Sequence, residues 1–125
     1  MKKQLILISI MMLLTACVSA TKSNNFIEKE VSKLELGDPM SKAKSLVGTP
    51  ASVAKGNKSA IRPYLDAKAF DVSDLSDDVD FTLWNYMNFV ARPGWGKTKV
   101  SQVHGALLFV DGKLVKIYYH EDQPT

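Results

Sequence analysis

Phe81-Thr82-Leu83-Trp84-Asn85-Tyr86-Met87-Asn88-Phe89-Val90-Ala91 is the stretch on which the fold turns. It is rich in aromatic and β-favouring residues. Alternation predicts a strand with Phe81, Leu83, Met87 and Phe89 on one face and Trp84, Tyr86 and Val90 on the other. Arg92-Pro93-Gly94-Trp95-Gly96 breaks the run as a loop. Val100 to Val110 predicts a second strand, with Val103, Leu107 and Phe109 on one face. Asp111-Gly112 is a two-residue hairpin signal, and Leu114 to Tyr119 returns as a third strand with Val115, Ile117 and Tyr119 alternating against Lys116 and Tyr118.

Two short helices are expected before the sheet. Ile27, Val31 and Leu34 recur at helical spacing, with Asn24 or Asn25 as cap and Glu28 and Glu30 in the first turns. Asp38-Pro39 opens a second helix as N-cap and first helical residue. Its stripe is Met40, Ala43, Leu46 and Val47; Gly48 closes it and Pro50 bars continuation. The fold class expected is α+β: two short N-terminal helices packed on one face of a three-stranded antiparallel β-meander. The other face, grouping Trp84, Tyr86, Val90, Leu108 and Val110, is unusually apolar. Either the long loop 54–80, in which Arg62 to Phe70 reads as a strand end or one helical turn, covers it or part of it meets a partner.

The chain has 125 residues, 46% of them hydrophobic, and a single cysteine. That fits one domain and excludes a disulfide framework. Met1-Lys2-Lys3 followed by the apolar run Leu5 to Leu14 has the form of a signal peptide, too short to span a bilayer. Leu14-Thr15-Ala16-Cys17 resembles the lipobox of bacterial lipoproteins, which implies cleavage before Cys17 and acyl chains on it. The alternative is an ordinary signal peptide cut after Ala20. The organisation expected is a signal peptide at 1–16, a lipidated tether at 17–25 and one domain at 26–125. Losing Lys2 and Lys3 leaves 14 basic against 13 acidic side chains, so nucleic acid is not an expected partner.

Catalysis is not expected. His104 and His120 are the only histidines, and neither sits in a nucleophile or metalloprotease motif. His120 is expected at a frayed C-terminus. Asp74, Asp77, Asp78 and Asp80 offer oxygen ligands but lack the glycine and closing glutamate of a calcium loop, so a solvated acidic loop is expected, with no metal. Arg92 to Lys99 combines two glycines, Trp95 and three cations. It is either a contact site for a partner or lipid, through Arg92, Trp95 and Lys97, or a hairpin loop whose tryptophan folds back onto the sheet.

The lipobox, a short tether, then Val31-Ser32-Lys33, Gly37 and Val47-Gly48-Thr49-Pro50 together resemble the SmpA/OmlA (BamE-like) family of outer-membrane lipoproteins. Trp84, Tyr86, Pro93-Gly94 and the final hairpin extend the likeness over most of residues 30–119. Stretch 54–80 is longer than the family's connection, and Asp38-Pro39 is an insertion, which points to a specialised relative. The resemblance implies a non-enzymatic lipoprotein on the periplasmic face of the outer membrane. It implies an accessory interaction module in outer-membrane assembly or envelope integrity, meeting barrel-assembly proteins and anionic lipid. Val18 after the cysteine resembles the sorting pattern for that membrane. No cofactor is expected beyond lipid on Cys17. The rival expectation is a periplasmic inhibitor or ligand-binding lipoprotein on the same scaffold, its hairpin and long loops blocking an enzyme, with loop 54–80 as the discriminating feature.

Overall fold

The computed structural model describes residues 24–122. The elements are α1 (Glu28–Val31), α2 (Met40–Val47), β1 (Ser52–Gly56), α3 (Lys58–Asp66), β2 (Phe81–Gly94), β3 (Lys97–Val110) and β4 (Lys113–Glu121). The fold is α+β, as expected, but the sheet has four antiparallel strands in the order β1-β2-β3-β4, and a third helix lies between β1 and β2.

The additional elements correct the expected loop 54–80. β1 pairs with β2 from Ser52↔Asn85 to Gly56↔Phe81. It is a short edge strand with Val53 exposed, so it shows no apolar alternation to read. In α3, Asn57 caps the helix by accepting from the Ala60 N–H at 3.1 Å. Ile61 and Leu65, one turn apart, are fully buried. Pro63 sits inside this helix and hides its signal. Only 67–80 remains irregular, and Val72 within it is buried.

The sheet is therefore covered on both faces. On one side Phe26, Val31, Leu34, Ala43 and Val47 pack on Trp84, Tyr86, Val103, Leu107 and Phe109. On the other, Ile61, Leu65 and Val72 pack on Phe81, Leu83, Ala106, Leu108 and Tyr118. Opposed residues of an antiparallel pair share a face. The register Trp84↔Leu107 and Leu83↔Leu108 thus separates Leu108 and Val110 from Trp84, correcting the expected grouping. The N-terminal helices cover the Trp84 face and α3 with 67–80 covers the Leu83 face, the reverse of the expected arrangement.

Smaller corrections have local causes. A β-bulge between Leu108 and Phe109 pairs Lys116 with the first and Leu114 with the second, leaving Val115 over. Parity flips there, so Leu114 shares a core with Ile117 and Tyr119 while Val115 is exposed. The first helix is a single turn, with no side-chain cap. In α2, Pro39 is the N-cap, not Asp38. The Asp38 carboxylate instead accepts from the Glu35 N–H at 2.8 Å and pairs with Lys42 at 3.1 Å. The Glu35 N–H, with Lys42 beside it, holds this carboxyl below the usual range. Gly48 closes α2 at φ +81, as the sequence predicts.

Candidate functional site

β2 and β3 outrun their neighbours. β1 meets β2 only as far as Asn85, and β4 meets β3 only back to Val103. Residues 89–94 and 97–102 therefore form a two-stranded ribbon, paired from Phe89↔Gln102 to Gly94↔Lys97. At ~3.4 Å per residue the ribbon projects ~20 Å from the body. The expected loop at Arg92–Gly96 is mostly strand, and the turn is only Trp95-Gly96. Pro93 is tolerated because the outer edge of this part of β2 has no further strand to bond.

Trp95 is fully exposed at the tip (102%). The reading in which it folds back onto the sheet does not hold. Arg92 pairs with Lys99, and Lys97 with Gly94, so both flank the tip in backbone position. The side chains of Arg92 and Lys97 lie outside the described residues. One face carries Phe89 and Val100 on the ribbon and Met87 just before it, all exposed. Sequence alternation places Met87 and Phe89 together, on one face with Phe81 and Leu83. What leaves them uncovered is the end of α3 and β1, which that alternation does not show.

The ribbon's base is also where the chain arrives. The Asn24 side-chain amide donates to the Met87 carbonyl at 3.2 Å, and Asn88 donates to the Asn24 carbonyl at 3.2 Å. The Asn25 N–H donates to the Val47 carbonyl at 3.0 Å. The last two residues of the expected tether are thus held by the fold. Cys17, the expected lipid site, lies outside the described residues. Charge is segregated: no aspartate or glutamate occurs from Phe81 to Val110, while Arg92, Lys97 and Lys99 do.

His104 and His120 are brought together, which sequence reading missed. They are cross-strand partners, and both Nε2 atoms meet Asp122, at 3.3 and 2.9 Å. The end of β4 is not frayed here, since the Asp122 N–H donates to the Gln102 carbonyl. Among the described residues no group of three or more His, Cys, Asp or Glu is placed to hold a metal ion. The acidic segment is partly neutralised, with Asp74 on Lys116 at 2.6 Å and Asp77 on Lys58 at 3.8 Å. The Lys116 hydrogen bond holds the Asp74 carboxyl below its usual range, and the Ser73 N–H does the same for Asp71. No helix among the described residues is long and apolar enough to cross a membrane.

Compared with known proteins, the chain matches no family model, no curated protein and no solved structure. The SmpA/OmlA likeness therefore rests on the motifs quoted above alone.

Proposed function

We propose that the chain is a non-enzymatic lipoprotein of the bacterial outer membrane, anchored through Cys17 on the periplasmic face, and that its β2–β3 ribbon is the contact element of an accessory interaction module in outer-membrane assembly or envelope integrity. The observation that carries this reading is Trp95, fully exposed at the tip of a ribbon free of acidic residues. Tryptophan and arginine are the residues most enriched at binding hot spots, and cations beside an interfacial tryptophan suit anionic headgroups. The partners proposed are barrel-assembly proteins and anionic lipid, with no cofactor.

Geometry supports a shared orientation of anchor and ribbon. Six residues lie between Cys17 and Asn24, and the seven steps they span reach at most ~24 Å. Asn24 is held at the ribbon's base, ~20 Å from its tip. Anchor and tip can thus meet the same membrane plane. Of the elements the rival inhibitor reading would use, 54–80 is held on the sheet by Ile61, Leu65 and Val72, which leaves it the ribbon.

The test is a native pull-down from gently solubilised membranes through a C-terminal tag, alongside radiolabelled acyl incorporation. Expected are acylation lost in Cys17→Ser, and co-purified barrel-assembly subunits lost in the Arg92→Ala, Trp95→Ala double variant. Recovery of a soluble hydrolase with no assembly subunit would overturn the reading.

A further inference from the structure

A cleft of about 460 Å³ opens where β1 ends, between α3 and the exposed start of the ribbon. Its walls include Pro63, Tyr64 and Met87, and its polar groups are Ser52, Asn85 and Lys68. The volume is in the range of small-molecule sites.

Lys68 is the unusual member. It is half-buried, and its ammonium rests on the sheet 3.2 Å from the Tyr86 carbonyl, 3.3 Å from the Gly105 carbonyl and 3.4 Å from the Asn85 amide oxygen. All three are neutral acceptors at long distances for a charged donor. The ion pairs among the described residues do not include Lys68; nearby Asp66 is taken by Arg62 at 3.1 Å. Partial burial of a cation without a counter-charge is unfavourable, and it lowers the affinity of this amine for its proton.

The chain is also strained to put it there. The Phe70 N–H bonds the Leu65 carbonyl and the Ala69 N–H bonds the Asp66 carbonyl, the paired bonds of a Schellman turn. The left-handed residue of that turn is Ala69, at φ +59, where glycine is the ordinary occupant. Strained non-glycine positions cluster at functional sites.

We propose that this cleft binds a small amphiphilic carboxylic acid, its carboxylate on Lys68 and its apolar body against Pro63, Tyr64 and Met87. The carboxylate replaces the longest of the three lysine contacts, that to Asn85, and supplies the missing counter-charge. Asn85, which donates to the Ser52 hydroxyl at 3.1 Å, remains held when that contact is given up. This site is separate from Trp95 and does not depend on lipidation of Cys17.

The chain from residue 18 keeps every residue of both cores, which lie between Phe26 and Tyr119. Its amide spectrum would be titrated with octanoate, octanamide and N-acetylleucine below micelle-forming concentrations. Expected are saturable shifts at Ser52 and Met87 with an acid, and about tenfold weaker binding of octanamide, the fold-change of one charge-assisted contact. Lys68→Met should erase the difference between acid and amide. Tighter octanoate would mark an acyl-chain acid as the ligand type, and tighter N-acetylleucine a peptide-type acid. Equal binding of octanoate and octanamide to the unsubstituted chain would overturn the proposal, and needs no variant to fold. So would acid binding unchanged in Lys68→Met, or no shifts with either acid.

Discussion

The ring of Phe26 lies nearly parallel to that of Tyr86, with centroids 4.5 Å apart and planes 10° from one another, directly over Gly105. Gly105 is the cross-strand partner of both Tyr86 and Tyr119, and Phe26 also stacks on Tyr119 at 5.8 Å. A side chain at 105 would occupy the space of the Phe26 ring. The missing side chain lets the first anchored aromatic of the domain lie flat on the sheet, two residues after Asn24 fixes the chain at the ribbon's base.

Gly105→Ala should therefore destabilise the protein by roughly 3 kcal/mol, through overpacking, and Phe26→Ala by ~3–5 kcal/mol through lost burial. Chemical denaturation of the two single variants and the double variant measures their coupling. The glycine substitution should cost much less once Phe26 is alanine. Additive effects would show that Gly105 matters for another reason.

Ala69→Gly is expected to stabilise by about 0.5–1 kcal/mol, because glycine adopts the left-handed conformation of that turn without a Cβ penalty. The midpoint in urea should rise with unchanged slope. A fall in the midpoint would mean that the alanine methyl contributes more by packing than its backbone costs.

Alkaline pH should unfold the chain through two phenols. Tyr86 is fully buried and donates to the Gly48 carbonyl at 2.8 Å; Tyr118 donates to the Asp71 carbonyl at 2.8 Å. Burial raises both, Tyr118 to about 12, with Asp74 and Asp71 adding to the latter. A raised tyrosine keeps its proton in the folded state while the unfolded chain loses it above pH ~10. Stability is thus unaffected below that pH and falls above it, by ~1.4 kcal/mol per pH unit for each phenol. Lys68 acts oppositely. Its lowered proton affinity makes stability rise with pH up to its unfolded value near 10.5, above which only the tyrosines contribute. Denaturation curves between pH 10.5 and 12 should lose about one proton's slope in Tyr86→Phe.

Strands β2, β3 and β4, the hairpin at Asp111-Gly112 and the stripe of α2 were legible because local signals and tertiary structure agree. Asp111 and Gly112 both adopt positive φ, as the turn requires. β1 was not legible, because an exposed edge strand owes its state to β2 and not to its own pattern. α3 was hidden by Pro63, although Ile61 and Leu65 carried the spacing. The two faces were misgrouped because register across β2 and β3 depends on how far the ribbon runs before turning at Trp95. The His104–Asp122–His120 cluster depends on the same register. Of the candidate site, Trp95 stood out by residue type and flanking glycines, whereas the Asn24–Asn88 contact that ties the chain's arrival to the ribbon joins residues 64 positions apart.

The most direct test of the ribbon as contact element is photo-crosslinking in intact cells from a benzophenone residue at position 95, compared with one at position 36. Leu36 is also exposed (67%), beside the opposite end of the sheet, where the Gly37 N–H bonds the Leu114 carbonyl. Adducts to barrel-assembly subunits or lipid from position 95, and few from position 36, are the expected result. Adducts from position 36 with none from 95, in cells where the chain is acylated, would contradict it.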